Sequence, residues 1–303
     1  MSGFVQQQHT ICNFSNEESW VILSPIEQSI KRKIESVGTP LKDWDIKIYR
    51  GVLTGYNDAF IISTEKRDEI LSNCQTEDER LRTAELIRPI LRGRDIKRYG
   101  YNWADLWLIA TFPSRHYDIE DYPAVKNHLL LYGKERLEQT GKKYIINEEE
   151  MKARKKTSNK WFETQDSISY WEDFNKPKIV WKRVGSILRF CYNNNGALGL
   201  DSTCFATGNN IEFICCVLNS PMGHYLLKDA PKTGTGDLLI SVQAVEPIKV
   251  PIITKEQNSI FEEALKELIH YNSTEKEKEI SHKVFDLYNL SHEEQKYIES
   301  NFT

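Results

Sequence analysis

The sequence lacks the patterns by which cysteines mark a metal site or a disulfide framework. Its six cysteines, among 303 residues, include no C-x-x-C pair, and none lies at metal-ligand spacing from the histidine pairs His116/His128 and His282/His292. A secretory leader and an apolar run long enough to cross a bilayer are also missing. We therefore expect reduced thiols, no bound metal, no membrane partner and a cytoplasmic location.

A large net charge of either sign is missing too, since 40 Lys and Arg oppose 44 Asp and Glu and leave −4. The charges are nevertheless unevenly distributed. Residues 81–189 carry a clear excess of Lys and Arg, whereas the parts of the chain before and after them are acidic. A basic middle part indicates an anionic partner for that part of the chain, which the total charge conceals.

Local patterns predict an α+β fold. Ser24 and Glu27 form a capping box with Pro25 at the first helical position, and the isoleucines that follow recur every four residues, which predicts a helix over 25–36. Alternating apolar and polar residues predict strands elsewhere, and longer apolar stretches predict helices. The expected strands are 44–49, 59–63, 106–111, 178–184 and 186–192, and the expected helices here are 210–219 and 221–228.

The C-terminal part of the chain is patterned as helices. Apolar residues at 260–269 mark one helix face, and Thr274 and Ser291, each followed three residues later by Glu, are the predicted N-caps of two further helices. We place a domain boundary near residue 253. The expected architecture is a mixed, curved β-sheet body with helices over 1–253, followed by a helical C-terminal appendage over 254–303.

Two short stretches place glycines beside cationic or hydrogen-bonding side chains. The first motif is Arg50-Gly-Val-Leu-Thr-Gly-Tyr-Asn-Asp-Ala-Phe-Ile-Ile62, and the second motif is Arg88-Pro-Ile-Leu-Arg-Gly-Arg-Asp-Ile-Lys-Arg-Tyr99. Glycine has no Cβ to hold a loop away from a phosphate chain, so such loops suit nucleic-acid binding. The alternative is that they only form turns. We expect the first motif to be the loop of a hairpin between strands 44–49 and 59–63.

In this order the two motifs resemble the TaqI-like C-terminal specificity domain. This family is the target-recognition part of adenine-N6 DNA methyltransferases and of fused restriction–modification enzymes. The resemblance continues at Lys176-Pro-Lys-Ile179, Leu218-Asn-Ser220 and Val250-Pro-Ile252, and it ends with Val284-Phe-Asp-Leu-Tyr288. The matches keep their order along the chain and extend over roughly residues 20–300.

The resemblance implies a sequence-specific DNA recognition domain of a bacterial type II restriction–modification enzyme. Such a domain binds double-stranded DNA and presents the target adenine to a catalytic domain that uses S-adenosylmethionine. The sequence has neither the glycine-rich cofactor loop nor the Asn-Pro-Pro-Tyr motif of those catalytic domains. We therefore expect no cofactor and no methylation by this chain alone, and a methyltransferase or nuclease domain or subunit as its partner.

The DNA contacts that we predict lie on several parts of the chain. In the first motif, Arg50 and Thr54 are expected to reach phosphate, whereas Tyr56 and Asn57 are expected to reach a base edge. The other candidates are cations of the second motif, of the basic run 152–160 and of strand 178–184, namely Arg92, Arg94, Lys97, Arg98, Lys155, Lys156, Lys182 and Arg183. The alternative for the cations is a solvated face, with Asp95 paired to a neighbouring arginine.

Two other functions stay open at this point. The acidic helical C terminus predicts a protein-interaction module that docks on a methyltransferase or nuclease subunit, and this role is compatible with DNA binding. Ser63-x-x-Lys66, together with Tyr192-x-Asn and Lys232-Thr-Gly, matches the spacing of a serine acyl-enzyme. That chemistry needs the serine at the start of a buried helix, whereas Ser63 ends a predicted strand.

Overall fold

The computed structural model describes residues 23–146, 149–271 and 273–302. The helices are α1 (Pro25–Val37), α2 (Asn57–Phe60), α3 (Thr64–Ser72), α4 (Glu77–Leu86), α5 (Pro123–Leu130), α6 (Lys134–Leu137), α7 (Ile211–Asn219), α8 (Pro221–Leu226), α9 (Val242–Val245), α10 (Lys255–Tyr271), α11 (Thr274–Leu287) and α12 (His292–Asn301). None of these helices has both the length and the apolar character that crossing a membrane requires.

The strands of the described ranges are mostly short. They are β1 (Gly38–Pro40), β2 (Ile46–Arg50), β3 (Ile61–Ser63), β4 (Ile87–Leu91), β5 (Leu106–Ile109), β6 (Lys143–Ile146), β7 (Glu149–Lys152), β8 (Lys178–Lys182), β9 (Val184–Gly185), β10 (Phe190–Asn193), β11 (Leu198–Gly199), β12 (Thr203–Gly208), β13 (Leu238–Leu239) and β14 (Lys249–Pro251).

Two four-stranded sheets form the centre of the structure. Sheet 1 has the strand order β10–β8–β12–β2, and all of its pairs are antiparallel. Sheet 2 has the order β11–β4–β5–β3 and contains one parallel pair, β11–β4. The remaining pairs, β1–β14, β9–β13 and β6–β7, are two-stranded. The predicted mixed α+β class is confirmed.

Sheet 1 is covered on both faces. Successive side chains of a strand point to opposite faces, and in β8 both sets are buried. Ile179 and Trp181 lie in a first hydrophobic cluster with α1, α7, α8 and the C-terminal helices. Val180 lies in a second cluster, with β3, β4, β5 and α5. Sheet 1 is therefore the shared middle layer of two cores.

The C-terminal helices belong to the first cluster. α10 and α11 pack on α7, and α11 and α12 pack on α8. Phe261, Leu268 and Phe285 of these helices are at most 3% exposed. The division of the chain at residue 253 stays a prediction, and the helices that follow it complete a core that begins before it.

Two of the predicted helix N-caps are confirmed, and one is wrong. At α1, Ser24 Oγ accepts from the Glu27 amide and the Glu27 carboxylate accepts from the Ser24 amide, which confirms the capping box. The box at Ser291 before α12 is likewise confirmed. At α11 the prediction of Thr274 was wrong, because Ser273 is the N-cap and accepts from the Lys276 amide. The motif's spacing did not distinguish two adjacent hydroxyl residues.

The predicted hairpin around the first motif is wrong. β2 pairs with β12 in sheet 1, whereas β3 pairs with β5 in sheet 2. The first motif is therefore a crossover between the two sheets, and it includes the short helix α2. Alternation of apolar residues shows which face of a strand is buried, but it does not specify the partner strand.

One buried lysine makes stability dependent on pH. Lys178 begins β8 with its side chain 0% exposed, and its Nζ donates to the Phe174 carbonyl at 2.7 Å and to Asn193 Oδ1 at 2.8 Å. Burial lowers the pKa of this amine to about 7, and the nearby Arg88 lowers it further. The folded state therefore releases a proton that the unfolded chain retains up to its ordinary pKa.

We expect the free energy of unfolding to rise by about 2 kcal/mol from pH 7 to pH 9, because the unfolded state binds the extra proton across that window. The stability contribution is complete above the ordinary lysine pKa and is lost as the pH falls through about 7. Urea unfolding at several pH values measures the slope. The Lys178→Met variant serves as the comparison, and an equal slope in both proteins would contradict the assignment.

Candidate nucleic-acid interface

Three loops meet at one edge of the two sheets. They are the first motif after β2, the turn 92–95 after β4, and residues 198–203, which include β11 and lead into β12. The Gly51 amide donates to the Thr203 carbonyl at 3.0 Å, and the Leu200 amide donates to the Leu91 carbonyl at 3.2 Å. The Gly93 amide donates to Ser202 Oγ at 3.3 Å. We call these three loops, together with Lys182, Arg183 and Lys155, the basic edge.

The two motif glycines allow this close approach. A Cβ at Gly51 would lie 2.0 Å from the Leu200 carbonyl oxygen, which no side chain tolerates. A Cβ at Gly93 would lie 2.8 Å from Cγ of Lys182. The glycines therefore serve the packing of one loop on another, with the Lys182 stem lying across the second motif.

Most polar groups of the first motif are used inside the protein. Thr54 is 0% exposed, and its hydroxyl donates to Asn57 Oδ1 at 2.6 Å and accepts from the Tyr56 amide at 3.1 Å. The Tyr56 hydroxyl accepts from Arg136 at 2.7 Å. Burial corrects the prediction that Thr54 contacts phosphate, because its hydroxyl has no access to solvent. Arg50 and Asn57 are exposed.

The second motif divides its cations between two tasks. Arg92 and Asp95 form a bidentate pair, with Nη2–Oδ1 at 2.7 Å and Nε–Oδ2 at 3.0 Å. This pairing is the one considered as the alternative for Asp95, which is buried. Arg98 donates to the Asn219 carbonyl at 2.8 Å and contacts Glu277 at 3.4 Å, so it faces the C-terminal helices. Arg94 and Lys97 are exposed, with no ion pair among the described residues.

The end of β8 brings two more cations to the basic edge. Lys182 is exposed, and its side chain passes over Gly93. Arg183 is half-buried, and its amide donates to the Ser202 carbonyl at 2.9 Å. Both residues follow Trp181, whose burial in the first cluster fixes the strand. Their position beside the second motif was not visible in the sequence.

The predicted basic run 152–160 has a buried member and exposed neighbours. Arg154 is 4% exposed, and it donates to the carbonyls of Leu137, Thr54, Glu163 and Trp161. Burial lowers the pKa of this guanidinium to about 10. Arg154 is therefore an internal clamp, whereas Lys155 and Lys156 are exposed.

Acidic and hydroxyl groups that the sequence analysis missed lie among these cations. Burial raises the pKa of the Asp166 carboxyl, Arg50 and Lys155 oppose this shift, and Asp201 adds to it. Arg50, Lys155 and Asp201 are thus each within electrostatic range of Asp166. Gly199, Asp201 and Ser202 are residue types that are common in turns, and this local composition could have indicated a loop here from the sequence.

The serine acyl-enzyme alternative fails on its geometry. Ser63 ends β3, and its Oγ accepts from the Lys66 amide as the N-cap of α3. The Lys66 amine forms an ion pair with Glu69 and is not directed at the serine. The nucleophile and base that this chemistry requires are not paired.

The cysteines of the described ranges are buried or half-buried. Five cysteines of the described ranges are free thiols, and Cys12 lies outside those ranges. Burial raises the pKa of the Cys191 thiol to about 12 and that of Cys204 to about 11. In the same ranges, no group of three or more His, Cys, Asp or Glu side chains is arranged to hold a metal ion.

A comparison with known protein families shows the family of this chain. The model of the TaqI-like C-terminal specificity domain matches residues 88–244, which is more than half of the chain. The chain belongs to the TaqI-like C-terminal specificity domain family. The matched span runs from β4 to α9 and includes most of the basic edge. The first motif and the C-terminal helices of this specificity domain lie outside that span.

Solved structures extend the likeness in fold. The structure of the type IIL restriction–modification enzyme MmeI in complex with DNA is similar, with a TM-score of 0.54 and 11% identity, over 87% of this chain and 37% of that chain. The type IIG restriction endonuclease BpuSI has a TM-score of 0.48 and 11% identity, over 87% of this chain and 32% of that chain. The specificity domain spans about a third of either protein. No curated protein sequence matches it.

Proposed function

We propose that this specificity domain binds double-stranded DNA along the basic edge and reads a short target sequence for a restriction–modification enzyme. The observation that carries the proposal is the convergence of exposed cations from separate parts of the chain. Arg50 and Lys182 end two strands of sheet 1, whereas Arg94 and Lys155 lie on two loops, and hydrogen bonds between these segments bring the four cations to one edge. Such convergence is what a polyanionic backbone requires.

Charge availability supports the same proposal. The guanidinium groups of Arg92, Arg98 and Arg154 form hydrogen bonds inside the protein, so they would have to break these bonds to bind a phosphate fully. Within the described residues, the exposed cations Arg94 and Lys182 form no ion pair, so they can neutralise phosphates without first breaking an internal bond. The internal arginines shape the edge, and the exposed cations supply its affinity.

Hydrogen-bonding groups between these cations suit base recognition. Asn57 is exposed, and an asparagine side chain can pair with the major-groove edge of adenine. Asp201 is half-buried, and a carboxylate accepts from the cytosine amino group. We propose these two side chains as sequence-reading groups, with the surrounding cations holding the register.

The proposed function also includes a catalytic partner for this specificity domain. We infer a methyltransferase domain or subunit that uses S-adenosylmethionine for adenine-N6 methylation, since the resemblance of the motifs implies this class, and a nuclease domain or subunit is the alternative partner. This sequence supplies neither a glycine-rich cofactor loop nor an Asn-Pro-Pro-Tyr motif. Its own residues would bind and orient DNA, and the cofactor chemistry would belong to the partner.

The test is duplex binding across a salt series by the double variant Arg94→Ala, Lys182→Ala. Removal of two phosphate contacts should weaken the Kd about tenfold at low salt and reduce the slope of log K against log salt by about 2. Fluorescence anisotropy with a labelled duplex measures both quantities.

The matched control is the double variant Arg32→Ala, Lys278→Ala. It removes the same two charges from exposed positions on α1 and α11, helices of the first cluster. It should bind nearly as the parent does. Equal slopes for the two double variants would show that the basic edge is not the DNA-binding surface, because bulk charge alone would then account for the affinity.

A further inference from the structure

A cleft lies at the end of β4 that is opposite the basic edge. Its volume is about 430 Å³, which is in the range of small-ligand sites. The walls are formed by the end of α4, the start of β4, and segments around residues 107–122 and 171, with Leu198 of β11 also contributing. Arg88 lies near the start of β4 at this cleft, and Leu91 ends the strand roughly 10 Å further on, next to the turn 92–95 of the basic edge.

Flat side chains line the cleft. Trp107, Tyr117 and Trp171 are half-buried, so each keeps part of its surface open to solvent. The guanidinium carbon of Arg115 lies 3.8 Å from the centroid of a Trp171 ring, so the two planar groups are in close contact. Aromatic rings and guanidinium planes are the surfaces on which unpaired bases stack.

The cleft also carries positive charge that is not neutralised. Its charged lining residues are Arg82, Arg88, Arg115 and one acid, Glu85. Arg88 donates to Asn175 Oδ1 at 2.6 Å and to the Gly196 carbonyl at 3.0 Å, both of which are neutral acceptors. Arg82 donates to the Asp121 carbonyl at 3.2 Å. Among the residues that the structure describes, none of these three arginines forms an ion pair.

Of the three arginines, Arg88 is half-buried, whereas Arg82 and Arg115 are exposed. Burial lowers the pKa of Arg88, and no carboxylate opposes that effect. A half-buried guanidinium that lacks a carboxylate gains more from an anionic ligand than a solvated one does, because water screens it less. The cleft thus combines surfaces for stacking with unsatisfied affinity for an anion.

We propose that this cleft binds a single nucleotide, with the base against the Trp171–Arg115 surface and the phosphate at the arginines. The shared chemistry is that of a nucleoside 5′-monophosphate. It could be supplied as a free nucleotide or as an unpaired nucleotide of a DNA strand. The cleft shares Leu198 with the segment 198–203 but none of the cations of the basic edge, and it does not depend on the function proposed for that edge.

Binding of deoxyadenosine 5′-monophosphate to the full chain, followed by tryptophan fluorescence and calorimetry, tests the proposal. The nucleoside deoxyadenosine, which lacks the phosphate, should bind about tenfold more weakly, and Arg115→Ala should weaken nucleotide binding about tenfold. Arg80→Ala is the matched control, because Arg80 is exposed on α4, pairs with Glu77 and does not line the cleft. Thermal unfolding of each variant verifies its fold.

A second arm separates the two sources. A short single-stranded oligodeoxynucleotide that displaces the monophosphate would identify a DNA strand as the source, and retention of the monophosphate would identify the free nucleotide. The proposal is overturned if the monophosphate fails to bind, if it binds no more tightly than deoxyadenosine, or if folded Arg115→Ala binds it as the parent does. Duplex affinity of the Arg94→Ala, Lys182→Ala variant does not enter this test.

Discussion

Replacement of Arg154 by methionine is expected to lower the free energy of unfolding by about 4 kcal/mol, with a fall in Tm of about 10 °C. Methionine fills much of the space of the arginine stem but donates no hydrogen bond. The carbonyls of Thr54, Leu137 and Trp161 would lose the side-chain donor that now satisfies them, and the Glu163 carbonyl would retain only Gln139 Nε2. Unsatisfied buried acceptors are costly because water cannot replace the lost partner.

The position of Arg154 explains why its replacement should lower stability so strongly. Its guanidinium joins the first motif, through Thr54, to two segments distant in sequence. It also lies 5.1 Å from the centroid of the Phe60 ring, in the second cluster. The loss should therefore loosen the first motif in addition to lowering stability.

The matched control is the same substitution at the next residue. Lys155→Met should change stability by no more than about 0.5 kcal/mol, because the side chain is exposed. Urea unfolding of both variants gives the two values. A loss below about 1 kcal/mol for Arg154→Met would mean that water reaches the four carbonyls, and the internal clamp would then have to be abandoned.

Gly51→Ala is expected to cost about 3 kcal/mol of stability and to weaken duplex binding about tenfold. The new Cβ would lie 2.0 Å from the Leu200 carbonyl oxygen, a backbone atom that cannot rotate away. Either β2 or the segment 198–203 must move. Because Asp201 and Ser202 lie on that segment, the basic edge would lose its arrangement together with part of the stability.

Gly234→Ala is the comparison for this variant. A Cβ at Gly234 meets no atom within 4 Å, so the same chemical change should leave both stability and duplex affinity near those of the parent. Thermal unfolding and anisotropy with the labelled duplex give the two readings. If Gly51→Ala kept the stability and affinity of the parent, the loops would not need their close approach, and the packing role assigned to Gly51 would be refuted.

Local chemistry was predictable from the sequence where it depended on neighbours along the chain. The capping box at Ser24 needs only Glu27, and α1 begins where that box predicts. The strand β8 and the helices α7 and α8 were likewise predicted from apolar patterns of their own residues. Such features depend on interactions within a few residues, which is the range over which a single sequence is informative.

The interface was less predictable because it depends on residues distant in the sequence. The basic run 152–160 gave no sign that Arg154 would be buried, since its four acceptors come from three other segments. Arg92 and Arg98 looked like Arg94 in the sequence, and only their partners Asp95 and Glu277 distinguish them. The number of cations could be counted from the sequence, but the sequence did not show which of them have partners inside the protein and which are free to bind a ligand.

The burial of sheet 1 on both faces has a consequence for how such domains can be recombined. Trp181 on one face of β8 is covered by the cluster that the C-terminal helices complete, and Val180 on the other face is covered by sheet 2. A segment limited to residues 88–244 would keep α7 and α8 on the first face but would lose α1 and the C-terminal helices that complete that cluster. The part of the chain that keeps both faces of sheet 1 covered therefore runs from α1 to α12, and exchange of exposed side chains on the loops should disturb the fold less than exchange of the strands.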